Sequence, residues 1–437
     1  MIRSIHAAQR LDSRGNPTVQ VDVTTDKGTF RSLVPSGAST GSREAVELRD
    51  TSNPALGGKG VHTAVRNVEK AIAPHLIAQG FNVETDLDKI DDFMKELDGT
   101  KNKSKLGANA ILGVSMACAR AGAASMGVPL YEYLRRQANV KTPYIMPVPF
   151  FNVLNGGVHS GNAMAFQEFM IAPVGAESVT DAIWMAAGVY HELKKVISTK
   201  FGTAATGIGD EGGFAPPIVH PHEALDLLTT AIANCGYTGK VQLGIDPAAS
   251  EFFRDGNYDV GFKDKTSNVK TPQQMRELYQ SLLSKYPIVL LEDPFAEDDW
   301  QSWIDFNKEC NIAELVGDDL LVTNVERVQE AHEKKACDAM LLKVNQIGTV
   351  TEAIAAAKLA YKFDWGVFVS HRSGETTDDF IADLVVGLRT GHLKSGAPCR
   401  GERVVKYNRL MDIEAELKAK GEGFSFAGSR FRKAQKL

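Results

Sequence analysis

Between residues 1 and 35 apolar and polar positions alternate with a period of two. Val19, Val21 and Val23 fall on one side, Thr18, Gln20 and Asp22 on the other, and Asp26-Lys-Gly28 turns the chain. This alternation predicts a half-buried hairpin or meander. Val34-Pro-Ser-Gly-Ala-Ser-Thr-Gly41 breaks the pattern with two glycines among small hydroxyl residues and predicts a mobile loop. The apolar spacing then becomes helical over residues 61–79, 81–97 and 109–136, punctuated by Gly80, Gly99 and Gly127-Val-Pro129. Gly113, Ala117, Ala121 and Gly122 leave the third of these helices bare enough to pack closely on a neighbour. Residues 1–140 therefore read as a small α+β domain, ended by Lys141-Thr-Pro143, Pro147 and Pro149.

Farther on, residues 148–154 and 166–172 have the character of strands, and residues 180–199 and 222–235 that of helices. A regular series follows. Short apolar runs at 241–245, 288–291, 314–317, 339–342 and 367–370 stop at Asp246, Glu292, Asp318, Lys343 and His371, and Lys394 extends the series. Helical patterns at 271–284, 300–309, 324–334, 349–361 and 378–388 fill most of the intervals. After the first interval the spacing is about 25 residues, which is what a strand, a helix and two short connections use. Residues 141–437 thus predict an α/β architecture, a TIM-like β/α barrel with an irregular start, whose parallel strands bring their C-terminal ends to one face.

Composition narrows the function classes. The 437 residues are 43% hydrophobic, enough for a substantial core, and the mean hydropathy is −0.18. A net charge of −5 offers no electrostatic footprint for nucleic acid. The five cysteines are odd in number and scattered, as expected of thiols in a reducing compartment. The N-terminus lacks the apolar segment of a secretory signal, and the least polar stretch, 108–119, is too short to span a bilayer. A cytoplasmic protein without a membrane span is expected.

Each acidic residue of the series, taken alone, also fits a helix N-cap, and each lysine a solvated surface position. Asp246, Glu292 and Asp318 together offer three carboxylates at one barrel face, a set that suits magnesium or manganese. Lys343 lies inside Met340-Leu-Leu-Lys-Val344, and a lysine in a buried strand calls for a function. His371-Arg372-Ser373 combines a cation, a fork of donors and a hydroxyl, a grip for phosphate or carboxylate. Glu168, Glu211 and the loop residue His159 add polar groups in glycine-rich or apolar surroundings. Gly207-Ile-Gly-Asp-Glu-Gly212 matches a dinucleotide fingerprint, but Phe214-Ala-Pro-Pro217 cannot open the helix that such a site requires. His191-Glu192 begins like a zinc-protease helix, but Lys195 replaces the second histidine.

Read together, these segments resemble the enolase family nearly end to end. The resemblance is carried by Asp12-Ser-Arg-Gly-Asn-Pro-Thr18, Ser36-Gly-Ala-Ser-Thr-Gly41, Gln167-Glu-Phe-Met170, Gly209-Asp-Glu-Gly-Gly213, Leu291-Glu-Asp-Pro-Phe-Ala-Glu297, Gly317-Asp-Asp-Leu320, Leu341-Leu-Lys-Val-Asn-Gln-Ile-Gly348 and Ser370-His-Arg-Ser-Gly-Glu375. It implies reversible dehydration of 2-phosphoglycerate to phosphoenolpyruvate with two magnesium ions per active site. Asp246, Glu292 and Asp318 would hold the first ion and Ser39, on a closing loop, the second. Lys343 would remove the C2 proton, and Glu211, with Glu168 beside it, would help the C3 hydroxyl leave. Lys394 and His371 would meet the carboxylate or hydroxyl region, Arg372 and Ser373 the phosphate, and His159 would complete the site.

The reaction explains these residue types, because a proton next to a carboxylate leaves only if nearby cations stabilise the dianion that results. A lysine base must also lose about three pKa units, roughly 4 kcal/mol, and Lys394 and the metals are expected to supply that shift. The resemblance further implies a homodimer, although Gln20 and Asp412 stand where the family pairs glutamate with arginine across the interface. The C-terminal Lys436-Leu437 lacks the terminal lysine invoked for plasminogen binding at a secondary, cell-surface location. Rival expectations are another metal-carboxylate barrel enzyme, such as a cycloisomerase or racemase, and a non-catalytic protein that keeps the fold.

Overall fold

The computed structural model describes residues 1–263 and 266–437. Strands β1 (Ile2–Leu11), β2 (Pro17–Thr25) and β3 (Gly28–Leu33) form the expected antiparallel meander. Val19, Val21 and Val23 are completely buried beneath it. The opposite row departs from the half-exposed expectation, since Thr18 and Gln20 are buried as well. The Thr18 hydroxyl donates to the Val34 carbonyl at 2.5 Å, so the chain leaving β3 covers that end of the sheet.

Helix α1 (His62–Asn67), a π-type segment (Val68–Ile72) and α2 (Ala73–Gln79) occupy the first predicted helical run. Helix α3 (Leu87–Asp98) starts six residues later than its pattern suggested. The Asp86 and Asn82 side chains there accept from the backbone N–H groups of Asn82 and Glu84, which favours a turn over a helix. The run 109–136 is two helices, α4 (Ala108–Met126) and α5 (Leu130–Ala138), bent by 102° at the glycine-proline break. The small residues of α4 do bring it close to its neighbours. Ser32 of β3 donates to the Gly113 carbonyl at 2.6 Å, and a Cβ on Gly122 would lie 2.3 Å from the Val83 carbonyl oxygen and 2.6 Å from the Tyr133 ring. Gly122→Ala is therefore expected to lower stability by about 1–3 kcal/mol, visible as a lower urea midpoint. Among the described residues no single helix is long and apolar enough to cross a membrane.

Strand β4 (Tyr144–Met146) leads into the barrel strands β5 (Val148–Asn155) and β6 (Glu168–Ala172). Helices α6 (Val179–Phe201) and α7 (Pro221–Asn234) precede β7 (Gln242–Asp246). A small sheet of β8 (Phe253–Arg254), β9 (Asn257–Asp259) and β10 (Val269–Lys270) intervenes. Regular alternation then begins: α8 (Pro272–Lys285), β11 (Ile288–Glu292), α9 (Trp300–Glu309), β12 (Glu314–Gly317), α10 (Val325–Lys334) and β13 (Ala339–Leu342). It continues with α11 (Val344–Ile347), α12 (Val350–Lys362), β14 (Gly366–Ser370), α13 (Phe380–Gly387), β15 (Gly391–Lys394) and α14 (Gly401–Lys420), before β16 (Phe424–Phe426) pairs with β4.

Eight strands close in the order β11-β12-β13-β14-β15-β5-β6-β7. All neighbours are parallel except β6, which is antiparallel to both β5 and β7. The β5–β6 connection contains no α-helical crossover, and without one consecutive neighbouring strands run antiparallel. This is the irregular start, and it places Glu168 at the rim. Glu168 opens β6 rather than closing a strand, yet it stands in register with Asn155 at the end of β5 and Asp246 at the end of β7. Inside the barrel, Phe150 packs against Phe368 and Phe431 with ring centroids 5.1 and 5.3 Å away. Phe431 belongs to the C-terminal segment Gly428–Lys436 and lies against Gly391, where β15 begins, so one end of the barrel is plugged and the other is left for chemistry.

Candidate active site

Every member of the polar series lies at the open rim. Asp246, Glu292 and Lys394 are the last residues of β7, β11 and β15, while Asp318, Lys343 and His371 come one residue after β12, β13 and β14. The helix-cap reading falls elsewhere: the capping side chains nearby are Thr271, Asp299, Asn324 and Thr349. A narrow cleft is lined by Ser39, His159, Glu168, Glu211, Lys343, His371, Arg372, Ser373 and Lys394, among others. Asp246, Glu292 and Asp318 lie beneath its lysines, as the following contacts show.

Lys394 donates to Glu292 at 2.7 Å and to Glu168 at 2.9 Å, and lies 3.7 Å from Asp246. Burial disfavours its charge, but these carboxylates outweigh burial and hold the ammonium well above the ordinary lysine range. Lys343 donates to Asp318 at 2.5 Å. Here too burial acts against the ammonium, Asp318 outweighs it, and Arg372 and Lys394 oppose Asp318; the lysine ends above its ordinary value. The chain's own groups therefore do not make Lys343 a neutral base. Arg372, which the sequence reading did not credit with this, acts on it ahead of Lys394.

The carboxylates remain under-neutralised. Burial, followed by the neighbouring Glu292, pushes Asp246 well up, and burial lifts Glu292 to about 7 despite Lys394. One buried Glu292 oxygen, Oε2, has no hydrogen-bond partner. Oxygens of Asp293, Asp318 and Asp319 come within 4.8 Å of one another. Both Asp293 oxygens accept the backbone N–H groups of Asp318 and Asp319 at 2.8 Å, so Asp293 also shapes the loop that carries those two residues. Excess buried negative charge and an all-oxygen donor set fit a hard divalent cation.

The far wall holds a second cluster. His159 Nδ1 lies 3.5 Å from Glu211 and 3.9 Å from Glu168, and His371 Nε2 lies 3.3 Å from Glu211. Asn152 of β5 donates to Glu211 at 2.8 Å. Burial would raise Glu211, but the facing imidazoles of His371 and His159 hold it well below the ordinary range. An acid role for Glu211 thus needs help from the ligand. The turn that carries Glu211 depends on Gly212, whose φ of +87° disfavours a side chain and whose Cβ would meet Cys399 Sγ at 2.7 Å.

The loop with Ser39 lies over the site, its Ser39 carbonyl accepting from Arg372 at 3.1 Å. The Arg372 fork is engaged in the same place: Glu44 accepts two bonds at 3.0 Å and Asn345 one at 2.9 Å. Ser373 accepts from Arg14 at 3.2 Å, and Arg14 also donates to the Gly37 carbonyl at 3.0 Å. A Cβ on Gly37 would stand 2.0 Å from an Arg372 nitrogen that these bonds pin. Gly37→Ala is therefore expected to displace the guanidinium and raise KM for an anionic substrate by about tenfold, as for loss of one charge-assisted bond. Steady-state kinetics decide it.

Sequence reasoning did not single out Asn152, Arg14, Glu44, Asp293, Gln346 or Thr323. Gln346 donates to Asp318 at 2.8 Å and accepts from Thr323 at 2.7 Å, while Thr323 also receives the Lys343 N–H at 3.0 Å. Arg14, Asp293 and Gln346 lie inside the quoted motifs, which was the available signal; Glu44, Asn152 and Thr323 had none.

Two family models cover almost the whole chain. "Enolase, N-terminal domain" matches residues 2–134, and "Enolase, C-terminal TIM barrel domain" matches residues 143–435. The meander-and-helix unit, the closed barrel with its reversed strand and the acidic, lysine-bearing rim agree with those matches, so the chain belongs to the enolase family, metal-dependent lyases that act on small molecules.

Proposed function

We propose that this protein catalyses the reversible dehydration of 2-phosphoglycerate to phosphoenolpyruvate, with two magnesium ions per active site. One observation carries the reading. In the eight-stranded ring, β13 and β6 stand four strands apart, so Lys343 and the Glu168–Glu211 cluster face each other across the barrel mouth. A three-carbon acid between them meets a base at C2 on one side and groups suited to a departing hydroxyl on the other, the arrangement for anti elimination.

Asp246, Glu292 and Asp318 would hold the first cation and Ser39 the second; when bound, these ions supply the positive charge that stabilises a carboxylate carrying a second negative charge. Asp318 keeps Lys343 at the rim, and Thr323 fixes the backbone from which the lysine extends. Proton transfer from C2 to Lys343 requires the neutral amine, so Asp318 must be engaged elsewhere and the charge of Arg372 must prevail. At the other wall, a polyanionic substrate raises the proton affinity of Glu211, opposing the imidazoles that keep it ionised. Lys394 bridges Glu168 and Glu292 and so links the two walls, within reach of the substrate carboxylate. Arg372 and Ser373 would take the phosphate, Glu44 giving up its place on the fork.

The test is ultraviolet absorbance of the enol product when purified protein, magnesium and 2-phosphoglycerate are mixed. Magnesium-dependent product formation supports the reading. No product from the wild-type protein, in an assay where an authentic dehydratase works, would overturn it.

A further inference from the structure

Arg403 belongs to the outer helix α14, yet it is completely buried; its Nε lies 3.3 Å from Glu402 of the same helix, while its terminal nitrogens turn toward the site walls. One terminal nitrogen, Nη1, donates to His371 Nδ1 and to the Arg372 carbonyl, each at 2.5 Å. The other, Nη2, donates to the carbonyls of Ser373 at 2.6 Å and Asp210 at 3.1 Å. A single side chain thus ties the backbone of the 371–373 wall to the residue that precedes Glu211. Gly396 leaves the room for it, since a Cβ there would stand 3.0 Å from Arg403 Cδ.

The bond to His371 carries chemical information. A guanidinium has donors only and stays protonated at every accessible pH. The atom it points at must therefore present a lone pair, which leaves the proton of a neutral imidazole on the other nitrogen. That nitrogen, Nε2, is buried, forms no hydrogen bond and lies 3.3 Å from Glu211 at the cleft wall. Protonation of Nδ1 would set N–H against N–H. Glu211 and Glu168 favour imidazolium, but burial and Arg403 oppose it and the net direction is downward. His159, Lys343, Lys394 and Arg372 are the other charged or titratable groups lining this cleft with His371.

We propose that Arg403 is a positioning residue for the dehydration: it locks His371 as the Nε2–H tautomer, aimed with Glu211 at the hydroxyl end of the substrate. The catalytic part of this inference rests on the proposed reaction; the tautomer does not.

Imidazole ¹⁵N NMR of the magnesium-loaded full chain tests it, with the His371 resonances assigned by their disappearance in His371→Asn. The wild-type protein is expected to show Nδ1 unprotonated and Nε2 protonated. Arg403→Met should yield mixed tautomers or an imidazolium near neutral pH, with kcat lower by on the order of 10²-fold. In the His371→Asn background the same change should cost far less, because both substitutions remove one function. A wild-type Nδ1–H tautomer, an unchanged His371 signal in Arg403→Met, or penalties that multiply fully would overturn the proposal. If Arg403→Met does not fold, the wild-type spectrum decides alone. A correct tautomer in a protein that forms no phosphoenolpyruvate would sink the proposed reaction and leave the tautomer assignment standing.

Discussion

Lys343→Ala is expected to reduce turnover by about 10²–10⁴-fold, the range over which a positioned general base contributes. The magnitude follows from the absence of a substitute. Lys394 is the other lysine at this rim, and it is committed to Glu292 and Glu168 at 2.7 and 2.9 Å. The substitution also removes the cation paired with buried Asp318, and breaking such a pair typically costs about 3–5 kcal/mol. The variant should therefore melt at a lower temperature without magnesium, and magnesium should recover much of the loss, because a divalent cation at Asp318 replaces the missing charge. KM should change little, since phosphate recognition rests on Arg372 and Ser373 rather than on the base. Full activity in Lys343→Ala would show that the base lies elsewhere.

Stability without divalent cations should fall as pH rises toward and through 7. Glu292 is lifted from an ordinary 4.5 to about 7 by burial, and Asp246 is raised by burial and by Glu292. A group whose folded value is raised contributes stability that is complete below its ordinary value and is lost as pH climbs through the folded one. For Glu292 the window is pH 4.5 to about 7, and the loss is roughly 3 kcal/mol. Asp318 works in the opposite sense: burial raises it, but Lys343 and Lys394 bring it below the ordinary range, so its contribution is lost on acidification below about pH 4. The metal-free protein should thus unfold at a higher temperature at pH 5.5 than at pH 8. Saturating magnesium should raise the midpoint more at pH 8, since the cation there takes over the role of the proton. Calorimetric midpoints independent of both pH and magnesium would contradict the assignment of these carboxylates as a cation site.

Much of this was legible because barrel strands end in a regular place. The short apolar runs located β7 and β11 to β14, and the residues at which they stop, Asp246, Glu292, Asp318, Lys343 and His371, stand at one rim together with Lys394 of β15. The direction of β6 was not legible, since period and composition are the same for a strand run either way. Glu168, near the start of the run 166–172, reaches the rim only because that strand is reversed against both neighbours. Pairing was equally hidden. Nothing local to Lys343 shows that Asp318 holds it at 2.5 Å, or that Arg372 is occupied by Glu44 from the other domain. Arg403 carried no signal in the sequence, and only the packing of α14 against the rim shows that its charge points inward.

The division of labour between the two walls is tested most directly by following the C2 hydrogen of 2-phosphoglycerate in deuterium oxide with magnesium present. Glu211→Gln should still exchange that hydrogen with solvent while forming little phosphoenolpyruvate, and Lys343→Ala should do neither. Exchange that persists in Lys343→Ala, or that disappears with Glu211→Gln while Lys343→Ala retains it, would contradict the assignment of the base to Lys343 and of the hydroxyl end to Glu211.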